Sequence, residues 1–304
     1  MIERILMPLD GSAASAHTLP YGLALASACH AELTLLHVVV DPMAGLYALP
    51  PGMPYAPELA SDLKWAGAAL LAAAAARAQA AGIGVRTQLP NDDRPARAIL
   101  AAAAAHDLTV LGSHSRLGLD RFFLGSATQE VLRRAEGPCL VVRLPDDMRA
   151  GACDAEFDAP ALRHLLIALD GGPCGEAAVT QGLALARALR ARVTLLHALE
   201  PAAAARDRAA AAALLAHAAG RAEAAGVTAA VALVEEEAGA AILTAERRAD
   251  LTVMGACGLT ARGPLGLGSV TERVLRASAT PHLVVNRSLQ TVREGRAERG
   301  RRAP

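Results

Sequence analysis

Two short stretches of the chain place glycine and serine where they could hold a phosphate group. One reads Gly255-Ala-Cys-Gly258 and is followed, after nine residues, by Gly268-Ser269. The other reads Gly112-Ser-His-Ser115 and is followed, after nine residues, by Gly125-Ser126. Backbone N–H groups can approach an anion closely where no Cβ intervenes, and a helix N-terminus adds unpaired donors and a favourable dipole. The spacing therefore predicts two phosphate-binding turns.

The sequence excludes several other kinds of phosphate and metal chemistry. Lys64 is the only lysine in the chain, so a phosphate loop of the Gly-Lys-Ser/Thr type is excluded. There is no GxSxG nucleophile sequence, and no pair of histidines at metal-ligand spacing accompanies a carboxylate on a helix. We therefore expect no catalytic residues and no metal ligands, and at most a weak hydrolysis of bound nucleotide.

The elements that must position these turns occur twice. Asp10 and Asp170 each end an apolar run, and Thr34-Leu-Leu-His37 returns as Thr194-Leu-Leu-His197. The aspartates are 160 positions apart and the glycine turns 143, so the second half is 17 residues shorter. The chain therefore consists of two homologous halves.

Each half alternates short apolar runs with alanine-rich stretches of helical spacing, which predicts five strands separated by four helices. The strands are continuously apolar, so both of their faces should be covered by helices. The predicted fold class is α/β, with two doubly wound five-stranded parallel-sheet domains of Rossmann-like type in tandem. The predicted boundaries are 1–145 for the first domain, 146–159 for a linker, 160–287 for the second domain and 288–304 for a disordered basic tail.

Composition gives the expected environment of the chain. Thirty basic residues balance thirty acidic ones, so the net charge indicates no nucleic-acid partner and no anionic membrane surface. Five cysteines without a CxxC pair fit a reducing compartment better than a disulfide framework. No apolar run is long enough to cross a bilayer. A cytoplasmic location is therefore predicted.

One segment interrupts the repeat. The stretch 41–57 contains five prolines and two tyrosines and has no helical or strand period. Such a loop is either a lid or interaction surface over a neighbouring site, or an insertion that packs on the surface. The sequence leaves both interpretations open.

These motifs together resemble the universal stress protein family. The family pattern is Gly, two residues, Gly, nine residues, then Gly and Ser or Thr after an apolar strand, with an aspartate closing the first strand. The resemblance covers about 1–145 and 160–287, and the chain looks like a tandem universal stress protein of the ATP-binding branch. It implies the universal stress protein fold in each half and a nucleotide-responsive signalling or scaffold module of the stress response.

The resemblance also implies a ligand and its contacts. ATP, with or without Mg²⁺, would lie between the first-strand aspartate and the glycine turn, with Asp10 and Asp170 near ribose and adenine and the backbone of Val38 and Ala198 at the adenine edge. The residues expected to face the phosphates are Gly112, His114, Ser115, Gly125, Ser126 and Thr128 in the first half, and Gly255, Gly258, Gly268, Ser269 and Thr271 in the second. Ser115 departs from the glycine of the pattern, so we expect the first site to bind more weakly than the second.

Each of these residues also has a purely structural interpretation. Ser126 and Ser269 begin capping-box sequences, and Asp10 and Asp170 could cap the helices that follow them. His37 and His197 are expected to be hydrogen-bonded core residues. The alternative functions are a scaffold of the same fold that binds no nucleotide, and a slow ATPase.

The last strands should join the two halves. The predicted strands 139–143 and 282–286 are apolar and lie at sheet edges, where an uncovered strand is a liability. In the family the last strands of two domains pair across a dimer axis. We therefore expect the halves to form an intramolecular pseudo-dimer, and the sequence leaves a homodimer of the whole chain open.

Overall fold

A computed structural model describes residues 2–40, 57–113, 124–144, 159–201, 203–257 and 267–286. Three predicted site residues, His114, Ser115 and Gly258, lie outside these ranges. So do stretch 41–56, nearly all of the predicted linker and the predicted basic tail. The predicted domain boundaries themselves stay predictions.

The first half follows the predicted alternation of strands and helices. Its elements are β1 (Arg4–Pro8), α1 (Ala13–Cys29), β2 (Glu32–Leu36), α2 (Pro57–Ala80), β3 (Val85–Gln88), α3 (Pro95–Ala103), β4 (Leu108–Ser113), α4 (Ser126–Arg134) and β5 (Cys139–Arg143).

The second half repeats this order, with an added 3₁₀ turn at Glu246–Arg248. Its elements are β6 (His164–Ala168), α5 (Pro173–Leu189), β7 (Arg192–Leu199), α6 (Ala205–Ala224), β8 (Ala229–Glu235), α7 (Ala238–Ala245), β9 (Leu251–Gly255), α8 (Ser269–Ala277) and β10 (His282–Val285).

The described strands form one sheet in the order β3-β2-β1-β4-β5-β10-β9-β6-β7-β8. Within each half the pairs are parallel, and the order corresponds to the 3-2-1-4-5 arrangement of a doubly wound fold. The strand order reverses beside β1 and β6, so a crevice opens at their C-terminal ends. The predicted fold class is confirmed.

The two halves meet through their last strands. β5 and β10 pair antiparallel, with Leu140 opposite Leu283. Two side chains add hydrogen bonds between the halves: Arg143 Nη1 donates to the Ser278 carbonyl at 2.9 Å, and Asn286 Nδ2 donates to the Ala135 carbonyl at 2.7 Å. The expected pairing of the last strands is therefore present within the chain.

Buried strand residues explain why the sheet is covered on both faces. Alternate β1 residues pack into different apolar clusters: Ile5 packs with Leu33, and Leu6 packs with Leu36. All four side chains are almost completely buried, as continuous apolar strands in a parallel sheet require.

Within the described part of the chain, none of the helices combines the length and the apolar character needed to cross a membrane.

One aspartate in each half, which the sequence analysis missed, fixes the start of the first strand of that half, β1 or β6. Asp107 Oδ2 accepts the backbone N–H groups of Glu3 and Arg4 at 2.9 and 3.0 Å. Asp250 Oδ2 accepts those of Arg163 and His164, both at 2.8 Å. Asp107 and Asp250 come just before β4 and β9, the strands that lead into the glycine turns. Each carboxylate therefore links the start of that strand to the start of the first strand in the same half.

Candidate functional site

A cavity of about 270 Å³ opens at the C-terminal ends of β6, β7 and β9. Its apolar lining comes from Leu169, Leu196, Ala198, Ala238, Ile242 and Met254. Its polar lining comes from Asp170, His197, Gly255, Gly268, Ser269 and Thr271. The two groups give the cavity an apolar wall and an end made of a carboxylate and a helix N-terminus.

Six predicted site residues of the second half share this one cavity. They are Asp170, Ala198, Gly255, Gly268, Ser269 and Thr271. They come from the ends of three strands and from the start of α8, and the doubly wound topology gathers these elements at one edge of the sheet. An apolar cleft with a few convergent polar groups is the usual form of a small-molecule site.

Asp170 is held by a turn immediately after β6. Its Oδ1 accepts the backbone N–H of Gly172 at 2.9 Å, and Gly171 between them has φ +74°, a conformation that favours glycine. Gly172, not Asp170, is the N-cap of α5. The interpretation of Asp170 as a helix cap was therefore wrong, and its carboxylate lies at the cavity instead.

Asp10 occupies the corresponding turn of the first half. Its Oδ1 accepts the backbone N–H of Ser12 at 2.9 Å and the Ser12 hydroxyl at 2.6 Å. Ser12 is the N-cap of α1, and its hydroxyl accepts the Ser15 N–H at 3.2 Å. The helix-cap interpretation was therefore wrong for Asp10 as well.

His197 and His37 stabilise the same turns from the neighbouring strand. His197 Nδ1 lies 2.7 Å from the Leu169 carbonyl oxygen, and His37 Nδ1 lies 2.7 Å from that of Leu9. A carbonyl only accepts, so Nδ1 of each ring carries a proton and donates it. The predicted hydrogen-bonded role is present, but His197 also lines the cavity, which the sequence analysis did not anticipate.

The glycines near the C-terminal ends of β4 and β9 are required by helix packing. A Cβ on Gly255 would lie 2.9 Å from both the carbonyl carbon and the Cβ of Cys174, at the start of α5. A Cβ on Gly112 would lie 2.9 Å from the Ala14 carbonyl oxygen, in α1. These glycines thus let a helix lie directly on the strand end, a role independent of any ligand.

Thr271 and Thr128 connect the strand ends to the helices that follow. Thr271 Oγ1 donates to the Gly255 carbonyl at 2.7 Å, and Thr128 Oγ1 donates to the Gly112 carbonyl at 3.0 Å. Both hydroxyl protons are therefore used within the fold. The threonines thus position the helix N-terminus, and their expected place beside the phosphates stays a prediction.

The helices after the glycine turns begin one residue earlier than a capping box at Ser126 and Ser269 requires. The N-caps of α4 and α8 are Gly125 and Gly268, and neither makes a side-chain cap hydrogen bond. Ser126 and Ser269 are the first helical residues. The capping-box prediction was wrong because glycine, which has no side chain, occupies the cap position. The first-turn N–H groups of both helices thus have no capping side chain, and the first turn of α8 lines the cavity.

The first half presents matching residues at the equivalent positions. Asp10, Gly112, Gly125, Ser126 and Thr128 follow the same strands as their second-half counterparts. Val38 stands at the position of Ala198, so the side chain there is larger in the first half. The turn itself, with His114 and Ser115, lies outside the described residues.

Charges beside the two sites are reversed between the halves. Glu237 accepts the N–H groups of Gly239 and Ala240 at the start of α7, and Arg273 Nη1 donates to it at 2.6 Å. The repeat places Arg94 and Glu130 at the positions of Glu237 and Arg273. The sequence analysis missed this exchange, which an alignment of the two halves would have shown.

The entry to α3 in the first half carries its own charge cluster. Asp92 Oδ1 accepts a hydrogen bond from Arg97 Nη2 at 2.7 Å and from the Arg94 backbone N–H at 2.8 Å. The side-chain hydrogen bond from Arg97, followed by the backbone one, lowers the pKa of Asp92 to about 2. Asp92 is therefore an anion throughout the physiological range.

A disulfide joins Cys174 at the start of α5 to Cys257 in the turn after β9. Their Cα atoms are 5.9 Å apart although 83 residues separate them in sequence. The expectation that the cysteines form no disulfide was wrong for this pair. Spacing along the chain could not reveal it, because the fold, and not the sequence, brings the two residues together.

Comparison with known proteins agrees with the repeat. The universal stress protein family model matches residues 1–143 and 161–286. A universal stress protein of Mycolicibacterium smegmatis is 26% identical over 295 residues, 92% of this chain and 96% of the relative. One of Methanocaldococcus jannaschii is 32% identical over 149 residues, 48% of this chain and 84% of the relative.

Among solved structures, a universal stress protein from Archaeoglobus fulgidus has the same fold over nearly the whole chain. It superposes with a TM-score of 0.71, covers 94% of this chain and 98% of its own, and is 21% identical. The two family matches, the paired glycine turns and the doubly wound halves lead to one assignment: the chain belongs to the universal stress protein family and carries two copies of its domain.

Proposed function

We propose that the chain binds an adenine nucleotide, ATP, in the second-half cavity, and that occupancy controls a signalling or scaffold role in the stress response of the cytoplasm. The observation that carries this proposal is the composition of the cavity. One wall is apolar, while Asp170 and the start of α8 at Gly268 and Ser269 form the opposite end. A nucleotide has the same division between a flat base and a charged phosphate chain.

The backbone of β7 offers a contact for the edge of the base. Leu196 O accepts the Leu169 N–H at 2.9 Å, so the backbone of Leu196 faces β6. Backbone groups alternate in direction along a strand, so those of Ala198 face the same side, beyond the end of β6 at Ala168. A purine edge placed there would find one donor and one acceptor, and Leu169 and Met254 belong to the apolar wall.

The phosphates are assigned to the N-terminus of α8. Gly268 lacks a side chain, and its N–H donates to the Ala256 carbonyl at 2.7 Å, which fixes the N-cap of α8 beside the end of β9. The following N–H groups of the first helical turn are the unpaired donors that make a helix N-terminus an anion site. This arrangement needs no lysine. Mg²⁺ would accompany the phosphates, because the described cavity side chains supply no cation of their own.

Asp170 is assigned to the ribose. One carboxylate oxygen is fixed by the Gly172 N–H, so the group is oriented before a ligand arrives. A carboxylate accepts hydrogen bonds from the two hydroxyls of a ribose. The equivalent Asp10 gives the first half the same capacity, and we expect its site to bind more weakly because of Ser115.

The proposal is tested by calorimetry on the full chain with ATP and Mg²⁺, together with mass spectrometry of ligand released from freshly purified protein. Asp170→Asn should weaken the second site about tenfold, which corresponds to the loss of one charge-assisted hydrogen bond. Asp10→Asn is the matched control and should affect only the other site. Absence of both released nucleotide and binding heat would contradict the proposal and favour a scaffold without nucleotide.

A further inference from the structure

We propose that Cys174 and Cys257 form a reversible thiol–disulfide centre, and that the oxidised form binds nucleotide more tightly in the second half than the reduced form does. The inference rests on the proposed nucleotide function. It adds a second chemical input, a low-molecular-weight thiol or disulfide, to the same site.

The disulfide joins two elements that already touch. Cys174 is the second residue of α5, and Cys257 follows β9 by two residues. Gly255 lies where the end of β9 contacts the start of α5. Because it has no side chain, the strand end packs directly on the backbone of Cys174 and Gly175. The cavity is open with the disulfide formed, and Gly255 is part of its lining. The bond is therefore compatible with an occupied site.

The two cysteine residues differ in exposure. Cys174 is 5% exposed, whereas Cys257 is exposed. A small thiol from solution can therefore reach the Cys257 sulfur without unfolding the domain. Cys174 Sγ also lies 3.2 Å from the Asn286 carbonyl oxygen, so the thiol formed on reduction has a hydrogen-bond acceptor in place. Both redox states can thus be accommodated.

The reduction is a thiol–disulfide exchange in two steps. A thiolate RS⁻ attacks Cys257 Sγ, the bond between the protein sulfurs breaks, and Cys174 leaves as a thiolate that takes up a proton. A second thiolate then attacks the sulfur of RS in the mixed disulfide and releases Cys257. Two RSH molecules become RSSR and supply the two electrons and two protons for the protein thiols. Oxidation by RSSR is the reverse.

The centre is specific to the second half. The repeat places Ala14 at the position of Cys174 and His114 at that of Cys257, so the first half contains no equivalent pair. Gly112 nevertheless rests on Ala14 as Gly255 rests on Cys174. The first site is therefore an internal control that shares the packing but lacks the sulfur chemistry.

The other described cysteines do not compete for this chemistry. Burial raises the pKa of the Cys29 thiol to about 11 and that of Cys139 to about 12. Because the thiolate is the reactive species, both remain unreactive near neutral pH. Among the described cysteines, redox effects near neutral pH should therefore come from Cys174 and Cys257. Cys153 lies outside the described residues.

Nucleotide affinity should depend on the bond through the peptide group that joins Ala256 to Cys257. Its carbonyl accepts the Gly268 N–H at the N-cap of α8, and in the oxidised form the disulfide fixes Cys257 to α5. Reduction removes this attachment of the peptide group. Fixing the N-terminus of α8 around a phosphate then opposes binding, and we expect the affinity to fall roughly three- to tenfold.

The experiment compares ATP binding by the full chain after treatment with a glutathione-type disulfide and after treatment with dithiothreitol. Asp10→Ala is introduced throughout so that the titration reports the second site. Non-reducing peptide mapping should show Cys174 linked to Cys257 only in the oxidised sample. The oxidised protein should bind ATP three- to tenfold more tightly, and Cys174→Ser/Cys257→Ser should match the reduced protein under both conditions. Cys29→Ser should behave like its parent.

Several outcomes would overturn the proposal, and they separate it from the nucleotide function. Equal affinity in the linked and reduced proteins, or failure of the link to form, rejects the redox centre while leaving nucleotide binding intact. Absence of ATP binding in both forms, with the link demonstrated, rejects the nucleotide function and this inference together. Hydrogen exchange at the Gly268 N–H, which the Ala256 carbonyl accepts, should rise on reduction, and unchanged exchange there would contradict the proposed coupling.

Discussion

The hydroxyl of Thr271 donates a 2.7 Å hydrogen bond to the carbonyl oxygen of Gly255 and so fixes the start of α8 to the end of β9. Thr128 makes the same bond to Gly112 in the first half, at 3.0 Å. The strand end and the helix N-terminus that form the polar part of the cavity are therefore joined by one side chain. This bond sets the position of the N–H groups on which phosphate binding would depend.

Replacing Thr271 with Val should weaken both the fold and the second site. Valine keeps the shape but leaves the Gly255 carbonyl without its donor, and the loss of this partly buried hydrogen bond should cost about 0.5–1.5 kcal/mol. Urea unfolding should show a decrease of this size, and calorimetry should show weaker ATP binding at the second site.

Two variants control this prediction. Thr271→Ser keeps the hydroxyl and should retain ATP affinity close to that of the parent protein. Thr128→Val should destabilise the fold by a similar amount and leave the second site unchanged. If Thr271→Val binds ATP as the parent does, the bond does not position the helix for the ligand.

Replacing Gly255 with Ala should destabilise the second half through a steric clash. The added methyl group would lie 2.9 Å from the carbonyl carbon and the Cβ of Cys174, and 3.0 Å from the backbone nitrogen of Gly175. These are backbone or near-backbone atoms that cannot move aside, so the free energy of unfolding should fall by about 1–3 kcal/mol. Chemical denaturation measures this change.

Gly220→Ala is the matched control for this substitution. Gly220 lies in α6, and an added Cβ there meets no atom within 4 Å. Alanine in an exposed helix position should therefore stabilise the protein by up to about 1 kcal/mol. A stable Gly255→Ala protein would show that α5 can shift away from β9 at little cost.

Much of the site could be predicted from the sequence because the two halves repeat. The apolar runs before Asp10 and Asp170 place both aspartates at strand ends, and the topology then brings them to the crevice. Gly255 was found in the same way, from a short local pattern that occurs twice. Ala198, in contrast, was expected only from the family resemblance.

The remaining features depend on contacts between distant segments. Cys174 and Cys257 are 83 residues apart, and only the packing of α5 on β9 makes them neighbours. The requirement for Gly255 was attributed to phosphate approach, whereas the structure adds a packing requirement from α5. The capping boxes failed for a local reason, because Gly268 took the cap position that the sequence pattern assigned to Ser269.

Asn286 should couple the stability of the two halves. Its side-chain amide donates to the carbonyl oxygens of Ala135 at 2.7 Å and Leu132 at 3.4 Å, across the pairing of β5 with β10. Asn286→Ala removes the donor and leaves the half-buried acceptors unsatisfied, so the free energy of unfolding should fall by about 1–2 kcal/mol. Differential scanning calorimetry is the measurement.

The shape of the transition gives a further check on this interface. If the two halves unfold together in the parent protein, Asn286→Ala should lower the melting temperature of that single transition. Arg134→Ala, which removes an exposed ion pair with Glu130 in α4, should change the stability by less than about 0.5 kcal/mol. A larger loss in Arg134→Ala than in Asn286→Ala would contradict the coupling role of Asn286.

The thiols of Cys29 and Cys139 should resist alkylation until strongly alkaline pH. Burial raises their pKa values from the ordinary 9.0 to about 11 and about 12. The native state thus favours the neutral thiol, and the stabilisation this gives is complete below pH 9 and decreases as the pH rises toward the native pKa.

At pH 8 the thiolate fraction of Cys29 should be about a hundredfold lower than in the unfolded chain. Iodoacetamide labelling followed by peptide mass spectrometry, compared in buffer and in urea, measures this difference. Labelling of Cys139 at the same rate in both solvents would show that β5 opens on the labelling timescale, and would contradict the tight pairing of β5 with β10.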